Sequence, residues 1–174
     1  MIRELFNDIR AIKYRNLSGF KGYYIEYSEW FNKLNLDKDI SLKVLDIGSD
    51  RWNTFYHYSK FKGFVIDYYE GYDINYHAII KGNKKFIDKE NLSIEIFNEK
   101  LKLDFNLIKI DCEGCEYDLL NLMDFKKGIK YSIAIHNFKG LENRFNFWKE
   151  ELKNYGFKLV YVTVDKLEYL YIKN

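Results

Sequence analysis

The chain has 174 residues, the size of one ordinary domain, and 47% of them are hydrophobic, which excludes a wholly disordered protein. Lysine and arginine (28) nearly balance aspartate and glutamate (26), so the overall charge does not favour nucleic-acid binding. No apolar run approaches the roughly 20 residues of a membrane span, and charges interrupt the N-terminus, so we predict a cytoplasmic protein without a signal peptide.

The pattern of apolar residues changes near residue 40. Before it, apolar residues recur at three- and four-residue steps over 2–12 and 20–34, which predicts a helical extension at 1–40, packed on the main domain. After it, short buried runs alternate with helical patterns over 41–174. This alternation predicts one α/β domain with a mostly parallel sheet covered by helices on both faces.

The predicted elements follow one another in chain order. Strands are predicted at 43–48, 63–68, 75–80, 107–111, 131–136, 157–164 and 167–172. Helices are predicted at 50–61, in the second half of 92–103, at 116–124 and at 141–155. The short connection between the last two strands requires an antiparallel hairpin at the C-terminus.

Parallel sheets bind ligands at the carboxyl ends of their strands, so strand ends are where candidate site residues are sought. The first predicted strand ends at Asp46, and Gly48 behind it permits a sharp turn and the close approach of a ligand. The second predicted strand ends about twenty residues later at Asp67, whose carboxylate can accept both hydroxyls of a ribose. This pairing predicts a cofactor that contains a nucleoside.

The turn after the first strand favours one such cofactor. A dinucleotide needs a pyrophosphate cradle, usually G-x-G-x-x-G, but Asp50 and Trp52 stand where further glycines would be expected. S-adenosylmethionine carries no phosphate and is cationic at sulfur, so it suits an acidic turn with one glycine better. Taken alone, Asp46 can equally be a structural carboxylate in a tight turn.

Three carboxylates follow the fourth predicted strand within one turn: Asp111, Glu113 and Glu116. Like charges this close repel one another, and a fold tolerates them more readily beside a cation or where a proton is transferred. A sulfonium, an amine or a divalent metal would serve, although the sequence requires no metal. A solvated acidic helix start explains Glu116 well, but explains Asp111 and Glu113 poorly.

A histidine ends the fifth predicted strand. His136 is therefore expected at the same edge of the sheet as Asp111, and its ordinary pKa suits the removal of a hydroxyl proton. The alternative is a hydrogen-bonded structural histidine.

Two cysteines form a C-x-x-C pattern, which by itself suggests a redox pair or half of a zinc site. Cys112 and Cys115 are the only cysteines of the chain, so a second pair of sulfur ligands is missing. We interpret them as two buried small side chains, with a local disulfide as the alternative.

These motifs resemble those of a known enzyme family. The segment K-I-D-C-E-G-C-E-Y-D-L-L (109–120) resembles the K-I-D-x-E-G-x-E segment of FkbM-type S-adenosylmethionine-dependent methyltransferases. V-L-D-I-G-S (44–49) resembles the first motif of the wider Rossmann-like methyltransferase superfamily, and 63–74 its second strand, with Asp67 in the ribose-binding place. The resemblance spans 42–174. It implies a Rossmann-like three-layer sandwich with seven strands, the last of them antiparallel.

The resemblance implies methyl transfer from S-adenosylmethionine to a hydroxyl of a sugar or another small acceptor molecule. The residues that it implies are Asp46, Gly48, Ser49 and Asp67 for the cofactor, and Asp111 and Glu113 near the transferred methyl group. Together with His136, Asp111 and Glu113 are the candidate catalytic residues. The alternative is a non-catalytic module of the same fold that has lost cofactor binding through Asp50 and Trp52.

Overall fold

The computed structural model describes residues 33–37, 39–48, 65–72, 93–163 and 165–174, and the backbone of 77–81 and 84–88. The chain divides into two compact units, Met1–Lys33 and Leu34–Asn174. The predicted helical extension lies almost wholly outside the described residues, and the helix predicted at 50–61 lies entirely outside them. Both therefore stay predictions.

Within the described residues, eight strands form one sheet. They are β1 (Leu42–Ile47), β2 (Ile66–Tyr72), β3 (His77–Lys81), β4 (Lys84–Asp88), β5 (Leu107–Ile110), β6 (Lys130–His136), β7 (Lys158–Val162) and β8 (Glu168–Lys173). Their order in the sheet is β4-β3-β2-β1-β5-β6-β8-β7. The four central strands, β2, β1, β5 and β6, pair in parallel, whereas β3 and β8 run against their neighbours.

The predicted α/β class is confirmed, and the sheet is consistent with a Rossmann-like fold. The C-terminal hairpin is also confirmed, because β8 lies between β6 and β7 and is antiparallel to both. The predicted number of seven strands is wrong. The strand expected at 75–80 corresponds to β3, but β4 was not predicted, and the two form an antiparallel hairpin that follows β2 at one side of the sheet.

Three helices lie in the described part of the chain: α1 (Ile94–Lys100), α2 (Glu116–Leu120) and α3 (Glu142–Asn154). Ser93 caps α1, since its side chain accepts a hydrogen bond from the backbone N–H of Ile96 at 3.2 Å. Helix α2 is shorter than predicted, whereas α3 has nearly its predicted length. Gly156 ends α3 in the left-handed conformation (φ 84°), as expected for a C-terminal stop.

The hydrophobic core lies between the helices and one face of the sheet. Successive residues of a strand point to opposite faces, and the apolar ones on this face come from every central strand. The core includes Leu45, Ile47, Ile108, Ile110, Ile133, Ile135, Phe97, Tyr117, Phe145, Trp148 and Leu152. Asp46, Lys109 and Ser132 alternate with these residues and pair in register across β1, β5 and β6, where all three are buried. The opposite face therefore carries a buried polar row.

Replacement of one core tyrosine, Tyr171, is expected to stabilise the fold. Tyr171 is fully buried, and its hydroxyl has no hydrogen-bond partner in the part of the chain that the structure describes. Burial raises the pKa of Tyr171 to about 12. Since an unpaired buried hydroxyl costs about 1–3 kcal/mol, we expect Tyr171→Phe to raise the free energy of unfolding by about 1 kcal/mol at pH 7, measured by urea denaturation.

The pH dependence of this gain has a definite sign. Between pH 10 and about 12, the phenol of Tyr171 ionises in the unfolded chain but stays protonated in the folded one, so the wild-type stability falls as the pH rises. The phenylalanine variant should lose less stability in this window. Tyr117→Phe is the matched control, because the Tyr117 hydroxyl donates to the carbonyl oxygen of His136 at 2.6 Å and its loss should destabilise the fold. A Tyr171→Phe variant less stable than the wild type at pH 7 would contradict the prediction.

Candidate active site

Four residues gather at one edge of the sheet. Gly48 follows β1, Asp111 follows β5 and His136 ends β6, so the carboxyl ends of three parallel strands meet here. Glu168 begins β8 and lies opposite His136 in the register. Because β8 is antiparallel, its first residue lies at the edge where the parallel strands end. The strand-end pattern of the sequence predicted the first three residues but not Glu168.

Asp111, His136 and Glu168 form a compact cluster. One side-chain oxygen or nitrogen atom from each lies within 4.8 Å of those of the other two. His136 Nε2 lies 3.8 Å from Asp111 Oδ1. The Asp111 side chain is 10% exposed and that of His136 is 6% exposed, so little water screens the charges. The cluster is thus nearly closed but retains an opening to solvent.

Glu116 holds His136 in position. Its Oε1 atom accepts a hydrogen bond from the backbone N–H of His136 at 3.0 Å and lies 3.0 Å from Nδ1 of the ring. Its Oε2 atom accepts from the backbone N–H of Gly114 at 2.6 Å. Because a carboxylate only accepts, Nδ1 carries the proton of the ring contact and Nε2 is left facing Asp111.

The interpretation of Glu116 as a solvated acid at a helix start is wrong, because Glu116 is fully buried. Its carboxylate instead ties the loop after β5 to the end of β6. Nothing in the local sequence distinguishes this role from that of an exposed acid at a helix start.

Two opposing effects act on the pKa of His136. Burial lowers it, but the hydrogen bond with Glu116 and the negative charges of Glu116, Asp111 and Glu168 raise it more, so the pKa lies above its ordinary value. The imidazole therefore keeps its second proton to a higher pH than a histidine in water.

Asp46 is bound by other protein groups. It is fully buried, its Oδ2 atom accepts from the Tyr69 hydroxyl at 2.5 Å, and Lys109 Nζ lies 3.2 Å from its Oδ1 atom. The same ammonium group lies 3.5 Å from Asp111 Oδ2 and donates to the carbonyl oxygen of Gly48 at 3.3 Å. Lys109, which was not among the predicted site residues, therefore connects the ends of β1 and β5. These contacts favour a structural role for Asp46.

Gly48 allows the ends of these two strands to come very close. Its φ is +78°, and a Cβ atom built on it would lie 1.6 Å from the carbonyl oxygen of Asp111. The backbone N–H of Asp111 donates to the carbonyl oxygen of Ile47 at 2.9 Å, which holds the two segments together. Ser49, Asp50 and Trp52, the other predicted residues of this turn, lie outside the described residues.

Asp67 does not belong to the cluster. It is the second residue of β2, because β2 spans Ile66–Tyr72 rather than ending at residue 68. Asp67 is exposed and lies at the opposite edge, where the parallel strands begin. Its predicted place at a strand end is therefore wrong, and none of its described features supports a ribose contact.

Another acid of β2 lies nearer the carboxyl edge. Glu70 is fully buried, accepts hydrogen bonds from the Tyr68 and Tyr72 hydroxyls and lies 2.7 Å from Lys100 Nζ. These contacts engage both of its oxygens within the protein, on the helix-covered face.

The loop after Asp111 carries the third predicted catalytic residue. Glu113 is exposed and has a φ of +52°, and no hydrogen bond or ion pair joins it to the cluster within the described residues.

Cys112 and Cys115 form a disulfide across this turn, with their Cα atoms 5.5 Å apart. The interpretation of two separate buried side chains is wrong and the local disulfide is confirmed. Neither sulfur is then a thiolate ligand for a metal.

The charges at this edge fit a cationic sulfonium. Four carboxylates, those of Asp46, Asp111, Glu116 and Glu168, lie around two basic groups, those of Lys109 and His136. Attraction between opposite charges is strong in so poorly hydrated a place. The described residues thus fit the sulfonium end of S-adenosylmethionine, whereas the ribose contact predicted for Asp67 does not fit.

Comparisons with known proteins relate the chain to one family. The family model of the methyltransferase FkbM domain matches residues 23–159. A viral protein, the "Uncharacterized protein 158B" of Sulfolobus islandicus rod-shaped virus 1, is 32% identical over 117 residues, which cover 55% of this chain and 70% of the viral protein. No solved structure matches the chain. Among the described residues, no helix has the length and apolar character needed to cross a membrane.

Proposed function

The chain belongs to the methyltransferase FkbM domain family, and on this basis we propose that it transfers a methyl group from S-adenosylmethionine to a hydroxyl oxygen of a sugar or another small molecule. The observation that carries this proposal is the cluster of Asp111, His136 and Glu168 at the carboxyl edge of the sheet. Asp111 of this cluster belongs to the K-I-D-x-E-G-x-E segment that carries the resemblance to the family.

The donor side of the proposed site lies where β1 and β5 end. Bound S-adenosylmethionine would supply a methyl group made electrophilic by the positive sulfur. Asp111 would attract that charge, and the turn at Gly48 would lie against the methionine end. Lys109 forms an ion pair with the Asp111 carboxylate, with Nζ 3.5 Å from Oδ2. Asp111 can therefore orient a cation without moving.

The acceptor side lies between Asp111 and His136. The Oδ1 and Nε2 atoms are 3.8 Å apart, so one hydroxyl oxygen can contact both. As its oxygen attacks the methyl carbon, the hydroxyl would pass its proton to Nε2 of neutral His136, and the methyl–sulfur bond would break to leave S-adenosylhomocysteine. Glu116 fixes the orientation of the His136 ring, and this fixed geometry supplies the positioning on which methyl transfer depends.

Calorimetry and a methyl-transfer assay test the proposal. We expect the wild-type protein to bind S-adenosylmethionine and S-adenosylhomocysteine, and to transfer labelled methyl groups to a member of a panel of sugars and other hydroxyl compounds. His136→Gln should lower the rate by about 100-fold or more, since it removes the imidazole that faces the acceptor. Its affinity for S-adenosylhomocysteine should change by only about threefold, because the imidazole acts on the acceptor side.

The same calorimetry tests the second candidate function, a non-catalytic module that does not bind the cofactor. One observation favours that function: Lys109 and Tyr69 already bind the Asp46 carboxylate at the place expected for the methionine end. No binding of either cofactor form at roughly 1 mM, a concentration at which affinities as weak as about −4 kcal/mol are detected, would favour the module. Binding that is accompanied by methyl transfer would exclude it.

A further inference from the structure

We propose that Asp111, His136 and Glu168 form a binding site for one divalent transition-metal ion, of which Mn²⁺ is the test case. The sequence did not require a metal, and the inference depends on bringing Glu168 to the carboxyl edge through the antiparallel strand β8. Three ligands would come from three separate parts of the fold, namely the loop after β5, the end of β6 and the start of β8.

The ligand types and their spacing suit such an ion. An imidazole nitrogen with two carboxylates is a set that first-row divalent metals accept. The three candidate atoms lie within 4.8 Å of one another. Ligand atoms on one ion are about 3–3.5 Å apart when each lies about 2.1 Å from the metal. A small rotation of the partly exposed Glu168 side chain would bring its carboxylate closer, while Lys109 keeps Asp111 in place.

His136 provides a second and independent observation. The residue is 5% exposed, and its Nε2 atom makes no hydrogen bond within the described part of the chain, because its 3.8 Å approach to Asp111 Oδ1 is too long for one. Nε2 thus lies on a nearly buried ring and faces the Asp111 carboxylate without a hydrogen bond, and a metal ion there would displace its second proton. Its other ring nitrogen contacts a buried carboxylate, Glu116, at 3.0 Å. Metal-bound histidines usually have such a partner on the second nitrogen.

The two carboxylate ligands and the disulfide favour a divalent ion that binds nitrogen and oxygen rather than sulfur. The two carboxylate ligands offset the charge of a divalent cation, while Lys109 remains between Asp46 and Asp111. The cysteines of the adjacent turn are joined to each other, so the site offers nitrogen and oxygen but no thiolate. Mn²⁺ accepts carboxylate and imidazole ligands together, whereas Mg²⁺ prefers sites composed only of oxygen.

The role of the ion rests on the proposed function, but its binding does not. A metal ion in this cluster would bind the acceptor hydroxyl and lower its pKa, so that the hydroxyl proton passes to solvent water before the oxygen attacks the methyl carbon. His136 would then serve as a ligand rather than as the proton acceptor. This inference specifies how the acceptor side of the proposed reaction is activated.

Titration of the full chain with Mn²⁺, followed by the electron paramagnetic resonance signal of the free ion, tests the site. We expect one ion per chain. Glu168→Gln and His136→Gln should each weaken binding by about tenfold or more, since each removes one ligand. Glu113→Gln is the matched control, because it removes a neighbouring exposed carboxylate outside the cluster. That variant should bind Mn²⁺ within about twofold of the wild type.

The melting temperature, measured with and without Mn²⁺, distinguishes loss of the metal site from misfolding of a variant. Mn²⁺ should raise the melting temperature of the wild type, because it binds the folded state, and should not raise that of Glu168→Gln. Absence of wild-type binding at roughly 1 mM Mn²⁺, which corresponds to about −4 kcal/mol, would overturn the metal site, as would unchanged binding by a folded Glu168→Gln. Cofactor calorimetry in metal-free buffer separates this result from a failure of the proposed function, because it does not depend on the ion.

Discussion

Gly48→Ala should cost at least about 3 kcal/mol of the free energy of unfolding, and is expected to prevent stable folding if the wild type is only marginally stable. The new Cβ atom would lie 1.6 Å from the carbonyl oxygen of Asp111 and 2.6 Å from its carbonyl carbon. These are backbone atoms, and the Asp111 N–H is bound to Ile47, so the contact cannot be relieved by a side-chain rotation. The positive φ of Gly48 adds about 1–2 kcal/mol for any L-residue.

Gly140→Ala is the matched control for this substitution. Gly140 also has a positive φ, +91°, but nothing described lies within 4 Å of the position that its Cβ atom would take. Its replacement should cost only the conformational penalty of about 1 kcal/mol. Urea denaturation of both variants isolates the contribution of the close contact between β1 and β5. Equal losses at the two positions would contradict the assignment of Gly48 as a packing glycine.

Lys109→Met should destabilise the fold by about 3–5 kcal/mol, because it leaves the Asp46 carboxylate buried without its cation. Lys109 is 2% exposed and Asp46 is fully buried, so water cannot replace the missing partner. The hydroxyl of Tyr69 would remain as a donor to Asp46. A second change, Asp46→Asn, should recover part of the loss because it removes the uncompensated charge.

Lys43→Met provides the control with the same change of residue type. Lys43 and Asp104 form an ion pair at 2.8 Å, but their side chains are 44% and 92% exposed. Water and salt screen such a pair, so the urea midpoint should hardly move. If the Lys43 and Lys109 variants lost equal stability, burial of the charge would not be the cause.

The best predicted elements were those whose local pattern and tertiary surroundings agree. β5, β6 and the C-terminal hairpin are apolar runs bounded by turn residues, and each lies within two residues of its predicted limits. Helix α3 has one continuous apolar stripe and a glycine behind it, which suffice to locate it.

The limits of β2 were predicted less well, because a charged residue within a strand is easily mistaken for the residue at which the strand ends. Glu70 lies within β2, where two tyrosine hydroxyls and Lys100 compensate its charge. None of these contacts is visible in the local sequence. The β3–β4 hairpin did carry an indication, since Gly82-Asn83 is a favoured two-residue hairpin connection.

The site residues also differ in how well the sequence predicted them. Asp111 and His136 were predicted because each ends a strand, and parallel strands bring such residues together. Glu168 could not be found this way, since it begins a strand whose direction depends on the whole sheet. Lys109 is a charge inside an otherwise apolar strand, which is itself an indication of a buried ion pair.

The turn between β7 and β8 lets one member of the cluster, Glu168, vary independently of the others. Glu168 is positioned by this turn, and the backbone N–H of Asn137 donates to the carbonyl oxygen of Leu167 at 2.6 Å, which ties the turn to the end of β6. Insertions here would displace Glu168 while leaving Gly48 and Asp111 untouched. Sequence changes in this turn can therefore alter the Glu168 side of the cluster without disturbing the turn at Gly48.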